Sequence, residues 1–221
     1  MQREVAGKER VKTALEIKDI FQKFTAFKTF KKLGLVSKYK HSEELSKEEK
    51  LWVFDLLERN MKTHYQGTKT VGWDAKNKKM ELSHEGARFI VVYDEVKDEE
   101  SKENNSANAE LKPVPIAYVM WRFLMDDDGY GEMIPELYLW EIHIEETYRR
   151  KGLGKYLMSI SELAAWTLQM KKICLTAFTS NPASLKFFQD KMKYKVDATD
   201  PGLCEPDEPP CGYRILSKIR A

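Results

Sequence analysis

The chain has 221 residues, 42% of them hydrophobic and 33% charged, which suits one globular domain with ample core and excludes a disordered or fibrous protein. No run approaches the roughly 20 apolar residues of a membrane helix, and the N-terminal MQREVAGKER lacks the apolar core of a secretory signal. The net charge is only +2, and three cysteines (Cys174, Cys204, Cys211) match neither a disulfide framework nor paired zinc ligands, so an intracellular protein with free thiols, no metal and no membrane contact is expected.

Residues 8–31 carry Val11, Leu15, Phe21, Phe24 and Phe27 among many lysines, the pattern of a basic amphipathic helix or two short ones. After a polar stretch containing Gly34, SKEE (Ser46 to Glu49) forms a capping box ahead of Phe54, Leu57, Met61 and Tyr65, which predicts a second helix ending near Tyr65. QGTKTVGW then reads as a loop. RFIVVYDE (88–95) is a strand, and the polar, acidic segment after it is expected to be a mobile hairpin loop before the returning strand PIAYVMWRFLM (115–125). ELYLWEIHI (136–144) alternates as a third strand, and the apolar spacing from Leu153 to Leu168 predicts a helix. KICLTAF (172–178) is a buried strand, PASLKFFQDKM (182–192) a short helix, and YKVDAT and CGYRILSKI two further strands around a Pro/Gly-rich connection at 201–212. The expected architecture is α/β with a mixed, mostly antiparallel sheet around a central βαβ unit. Residues 1–45 are read as a basic helical extension packed on a domain spanning 46–221.

Charge is unevenly spread. Residues 1–50 hold 13 Lys/Arg against 8 Asp/Glu, and eight acids without a Lys or Arg lie between Leu124 and Glu146, directly before a cluster of cations and glycines at Arg149 to Gly154. Two glycines free the backbone to turn successive N–H groups toward one point, and the helix that follows adds its positive dipole end, so YRRKGLGKYL has the makings of an anion site. A Walker A loop is excluded, because Tyr156 follows Gly154-Lys155 where Ser or Thr is needed. A dinucleotide fingerprint fails at Leu157, its third glycine position. What remains is RxxGxG at Arg149, Gly152 and Gly154, after a strand and opening a helix.

This motif resembles the pyrophosphate-binding signature of the GCN5-related N-acetyltransferases (GNAT), which seat coenzyme A there. Asn181, Ser184 and Phe188 stand at the spacing that family commonly shows after its next strand, whereas Lys193 stands where many members have the glycine of a Gly-Phe pair. The resemblance implies a GNAT fold and acetyl-CoA as cosubstrate, held by Arg149, Arg150, Lys151, Gly152, Leu153, Gly154, Lys155, Asn181, Ser184 and Phe188, with backbone groups of Ile142, His143 and Ile144 along the pantetheine arm. NMKTHYQGTKTVGWD, LYLWEIHIEETYRRKGLGKYL, LQMKKICLTAFTSN and CGYRILSK are further similar to the NatD-type N-terminal acetyltransferases, which modify histone tails starting Ser-Gly-Arg-Gly. By that resemblance Tyr65, Trp73, Trp140, Thr176, Thr199 and Tyr213 line a peptide channel, and Asp126 is the acid chosen to meet the third-residue arginine. The implied partners are basic histone tails, with no direct nucleic-acid contact, in a monomer of the nucleus and cytoplasm.

The chemistry is attack of a neutral amine on a thioester. A peptide α-amine loses its proton near pH 7.7–8.0, against roughly 10.4 for lysine, so a carboxylate acting through water suffices. Glu141 is the expected base, with Tyr138 or Tyr65 to relay or return a proton. The competing reading of Glu141 is an ordinary strand carboxylate paired to an arginine, and His143 is expected to be a packed strand residue. Other acceptors (another N-terminus, a lysine, a small amine) and a non-catalytic histone-tail reader remain the alternatives.

Overall fold

The apolar and alternating runs of the sequence assemble into one sheet, as seen in a computed structural model that describes residues 2–68, 70–97, 111–204 and 210–220. Among those residues the sheet has eight strands: β1 (Thr29–Phe30), β2 (Leu35–His41), β3 (Arg88–Lys97), β4 (Leu111–Asp127), β5 (Met133–Ile144), β6 (Lys172–Phe178), β7 (Lys195–Val196) and β8 (Tyr213–Ile219). Their spatial order is β1-β2-β3-β4-β5-β6-β8-β7, and every neighbouring pair is antiparallel except β5 and β6. Helix α4 (Leu153–Thr167) joins that parallel pair, giving the mixed, mostly antiparallel fold with a central βαβ unit.

Because side chains alternate across a strand, the sheet has two apolar faces and each is covered. On one, α1 (Gln2–Leu15) and α4 lie over Trp121, Leu137, Leu139, Ile173 and Leu175. On the other, α2 (Lys47–Gln66) and α3 (Ala75–Leu82) cover Phe89, Val91, Tyr118 and Met120, with Val53, Leu56 and Leu57 of α2 fully buried. The capping box at the start of α2 is formed: Ser46 Oγ accepts from the Glu49 amide at 3.2 Å, and Glu49 Oε2 accepts from the Ser46 amide at 2.8 Å. Such a cap contributes about 1 kcal/mol.

Several elements differ from the sequence reading. Only Gln2–Leu15 of the expected helical extension is α-helical, followed by 3-10 turns at Ile20–Gln22 and Thr25–Lys28. Strands β1 and β2 then enter the sheet, so the sheet begins before the boundary drawn at residue 45. LVSKYKH looks polar, yet its alternate residues Leu35 and Ser37 are buried. Residues 75–82 have three lysines and no apolar period but form α3, because Asp74 caps it through Oδ1, which accepts from the amides of Lys76 (2.9 Å) and Asn77 (3.0 Å). The predicted helix at 182–192 is α5 (Pro182–Lys186) continued by a π-helical turn at Phe187–Lys191. A four-residue helix, α6 (Pro201–Cys204), occupies the start of the Pro/Gly-rich connection. Most of the expected mobile loop between β3 and β4 (98–110), and 205–209 of that connection, lie outside the described residues.

Lys193, where the resembling family often has glycine, has φ +63° and an exposed side chain. A left-handed backbone costs a non-glycine residue roughly 1–2 kcal/mol, partly offset by the greater chain entropy that glycine loses on folding. Lys193→Gly should therefore raise stability by about 0.5–1 kcal/mol, read as a higher urea midpoint with unchanged slope. An unchanged or lower midpoint would show that the turn carries no strain.

Candidate active site

β5 and β6 pair only from Glu136–Leu139 against Lys172–Leu175. Beyond that, β5 stays bonded to β4 as far as Ile144 opposite Ala117, and β6 to β8 as far as Phe178 opposite Tyr213. A wedge opens between them, and the β5 backbone groups that face it have no partner strand among the described residues. A cavity of about 800 Å³ fills this wedge, walled by β5 residues 139–144, β6 residues 175–178, the start of α4, and Asn181, Ser184, Phe187 and Phe188.

The α4 end of the cavity is built for an anion. Gly152, at φ +102°, is the N-terminal cap and offers no side chain, so the first-turn amides of α4 have no acceptor within the helix. Arg150 is also left-handed, at φ +61°, which turns the backbone sharply before the helix. Arg149, Arg150 and Lys155 line the same end. A Cβ on Gly154 would stand 3.2 Å from Phe187 Cζ and 3.7 Å from Ile144 Cδ1, so any larger residue would press on the Phe187 ring at the cavity wall. Amides, cations and a close backbone approach together fit a diphosphate.

Geometry at the inner end is set by a β-bulge. Met120 faces Glu141 but Trp121 faces Leu139, so Trp140 is an extra residue on β5. The bulge therefore precedes Glu141. Leu137 and Leu139 before it, and Ile142 and Ile144 after it, all join the α1/α4 core, while Trp140 packs with the α2/α3 core. Glu141 also lies on the α2/α3 side, 6% exposed, with Oε1 3.8 Å from Lys78 Nζ of α3 and Oε2 2.8 Å from His143 Nε2. Its partners are thus a lysine and a histidine, not an arginine.

Lys78 is the hub of this cluster. Its Nζ donates to Glu81 Oε2 at 2.8 Å and lies 4.4 Å from the Tyr65 ring centre. Burial opposes its charge, but Glu141, Tyr65 and Glu81 outweigh burial and hold the ammonium above its usual range. Burial, then the Glu141 charge, pushes the Tyr65 phenol up to about 12. Burial also raises Tyr138, although its hydroxyl shares a 2.6 Å hydrogen bond with Thr176 Oγ1. Both phenols therefore stay protonated at neutral pH.

Of the residues singled out from sequence, Glu141, Ile142, His143, Ile144, Arg149, Arg150, Gly152, Gly154, Lys155, Asn181, Ser184, Phe188, Trp140 and Thr176 line the cavity. Asn181 Oδ1 also caps α5 by accepting from the Ser184 amide. Lys151 and Leu153 belong to the turn and first helical residue but not to the wall, and Leu153 is buried. Tyr65 and Trp73 form an edge-on pair 5.6 Å apart beside Phe178, next to the cavity rather than in it. Tyr213 is the cross-strand partner of Phe178, and Thr199 bonds Asp197 at 2.7 Å. Asp126 sits on β4 two residues beyond Leu124, the partner of Glu136, on the face that carries Tyr138. The acids from 126 to 146 do not form one surface: Asp127 and Asp128 accept from amides of their own turn, Glu132 faces Arg3, and Glu145 is bound by Arg59 and Trp52. Asn60, Lys78 and Glu81 were missed, and only the placement of α3 over the sheet could have brought the latter two forward. No cluster of three or more potential metal ligands occurs among the described residues.

The model of the Acetyltransferase (GNAT) family matches residues 61–194. Among solved structures, the NatC complex bound to Gag peptide and CoA contains a chain with 15% identity and a TM-score of 0.52, covering 84% of this chain and 99% of that one. NAA60 from Arabidopsis thaliana, in complex with a bisubstrate analogue, gives 9% identity, a TM-score of 0.50, and coverage of 84% and 100%. A GNAT-family protein from Desulfovibrio desulfuricans gives 11%, 0.51, 84% and 100%. At these identities the likeness is one of fold.

Removing the ammonium at the hub leaves Glu141 facing a carboxylate neighbour without a cation between them. Lys78→Met should cost about 3 kcal/mol in chemical denaturation, the loss typical of half a buried ion pair. A cost below about 1 kcal/mol would mean that Lys78 is a surface-like cation.

Proposed function

The chain belongs to the acetyltransferase (GNAT) family, and we propose that it acetylates the α-amine of proteins that begin with serine followed by a basic tail, of the histone Ser-Gly-Arg-Gly kind, using acetyl-CoA. The observation that carries this reading is the bulge at Trp140, which turns Glu141 toward a tyrosine- and tryptophan-lined face at the inner end of the anion-binding wedge.

First-turn amides of α4, Arg149, Arg150 and Lys155 would hold the diphosphate, and the open edge of β5 would hold the pantetheine amides as an added strand does. Acetyl-CoA, when bound, supplies the acetyl group, and its C–S bond breaks as the new C–N bond forms. Glu141 takes the proton of the incoming ammonium through a water, which an α-amine near pH 8 yields far more readily than a lysine near 10.4. Tyr138 and Tyr65, the protonated phenols bordering the site, are the groups that would return a proton to the departing sulfur.

A serine-sized first residue suits a channel narrowed by the Tyr138–Trp140 pair, whose ring centres are 4.9 Å apart. Farther along the face, Asp126 acts on the same Tyr138 and on Glu136, and its negative charge is the one a third-residue arginine would meet if the tail ran this way. A charged hydrogen bond there is worth about 1.5–3 kcal/mol, enough for roughly ten- to hundredfold selection.

Incubated with labelled acetyl-CoA, the protein should modify a Ser-Gly-Arg-Gly peptide well, an Ala-started one less, and an N-terminally blocked one not at all. Label on the blocked peptide would refute α-amine transfer. Glu141→Gln should lower kcat by roughly 10²–10⁴ while calorimetry finds CoA binding nearly intact, whereas a tail-binding protein without catalysis would be indifferent to it. Gly154→Val, which drives a side chain against Phe187, should weaken CoA binding by roughly tenfold or more. Unchanged affinity would place the cofactor elsewhere.

A further inference from the structure

His143 follows Glu141 by two residues on β5, and its imidazole is buried at 5% exposure, where an apolar side chain would satisfy the strand. A buried imidazole needs partners for both nitrogens. Nδ1 has Asn60 Nδ2 at 3.4 Å, Nε2 has Glu141 Oε2 at 2.8 Å, and the ring lies 5.3 Å from Tyr118. Asn60, on α2, is bound at its other side by Arg149, whose Nη2 donates to Asn60 Oδ1 at 2.8 Å while Nε donates to Ile144 O at 3.1 Å.

These contacts fix each proton in turn. A guanidinium only donates, so the atom of Asn60 that faces Arg149 must be its oxygen. The amide nitrogen therefore points at His143 and makes Nδ1 the acceptor. The imidazole proton is left on Nε2, aimed at Glu141. Arg149 itself lines the anion end of the wedge, so the chain Arg149, Asn60, His143, Glu141 runs from the diphosphate cradle to the carboxylate.

We propose that Asn60 and His143 are positioning residues that fix the orientation of Glu141 for proton transfer by a hydrogen-bond relay anchored on Arg149. Neither touches the reacting atoms. The relay holds Oε2 and so leaves Oε1, 3.8 Å from Lys78 Nζ, as the oxygen that takes the proton through water, and misplacement of such a group by about 1 Å can cost on the order of a hundredfold in rate. The inference rests on the acetyl-transfer reading, but the proton positions it requires do not.

Asn60→Asp is the diagnostic change. Its carboxylate still pairs with Arg149 but cannot donate to His143, so the imidazole proton is drawn to Nδ1 and a bare Nε2 faces Glu141. His143→Gln keeps both jobs, with an amide N–H for Glu141 and an oxygen for Asn60, whereas His143→Leu keeps only the packing. Nitrogen-15 NMR of the full chain, with the His143 signals assigned by their loss in His143→Gln, should find the proton on Nε2 in the unsubstituted protein. A proton on Nδ1 there overturns the relay, whether or not the protein acetylates anything. With acetyl-CoA and the Ser-Gly-Arg-Gly peptide, Asn60→Asp and His143→Leu should lose roughly ten- to hundredfold in kcat with KM for acetyl-CoA little changed, and His143→Gln should stay within roughly threefold of the starting rate. Full kcat in Asn60→Asp, or equal losses in the Leu and Gln variants, would overturn the proposal. Thermal melts identify a variant that merely fails to fold, and the NMR result decides the matter even then. If the unsubstituted protein transfers nothing while the Nε2 proton is found, the proposed function fails and the proton relay stands.

Discussion

A strand that keeps one neighbour and loses the other must do something with the hydrogen-bonding groups on its freed edge, and that constraint governs this molecule. β5 is held to β4 through Ile144 but released by β6 after Leu139. The freed edge survives only if water or a ligand with its own amides satisfies it. Helix α4 closes one end of the gap and points its unsatisfied first-turn amides into it. One wedge thus presents an edge for a polyamide and a pole for an anion, two demands that acetyl-CoA meets at once.

The bulge at Trp140 adds the second requirement, a change of side-chain parity in the middle of a strand. Without it, the residues at 142 and 144 could not share the α1/α4 core with those at 137 and 139. With it, Glu141 turns toward Lys78 and His143 on the α2/α3 side while the aliphatic wall of the wedge remains continuous. The bulge therefore separates the apolar wall that supports α4 from the polar cluster that surrounds the carboxylate. Replacing the extra residue by a regular ladder would exchange the two.

Much of the wedge was legible because its signals are local. The apolar run of β6, the glycines at 152 and 154 and the helical spacing that follows are read from adjacent residues, and the family resemblance confirmed their order. Lys193 is a further local signal: glycine is common there because the backbone is left-handed. What stayed hidden depends on partners distant in sequence. β2 alternates, but with Ser37 and Lys38 instead of strong apolar residues, and its place is decided by pairing with β3 some fifty residues on. α3 buries Lys78 and Leu82 with hardly any apolar stripe, so only the cap at Asp74 announces it. His143 looked like a packed strand residue and is indeed buried, but its two polar partners come from Asn60 and Glu141.

The open half of the α2/α3 face follows the same logic in charge. Lys172 is almost fully buried, 3.2 Å from Glu136 and 3.4 Å from Asp197, and donates to the Asp127 carbonyl at 3.1 Å. One ammonium therefore serves two buried carboxylates, with Asp126 close enough to act on Glu136 as well. Burial, with the charges of Asp126 and Asp197 adding to it, pushes Glu136 up to about 7 even though Lys172 opposes the change. Against its burial, hydrogen bonds from Thr199 keep Asp197 charged, so the excess negative charge is felt by Glu136, which holds a proton more readily. A guanidinium in a bound tail would supply a cation in place of that proton, and the same ion would draw Glu136 back toward the ordinary carboxylate range. On the proposed function, a basic substrate whose guanidinium came near Asp126 would stabilise this cluster and be stabilised by it, an electrostatic advantage that a neutral tail would lack.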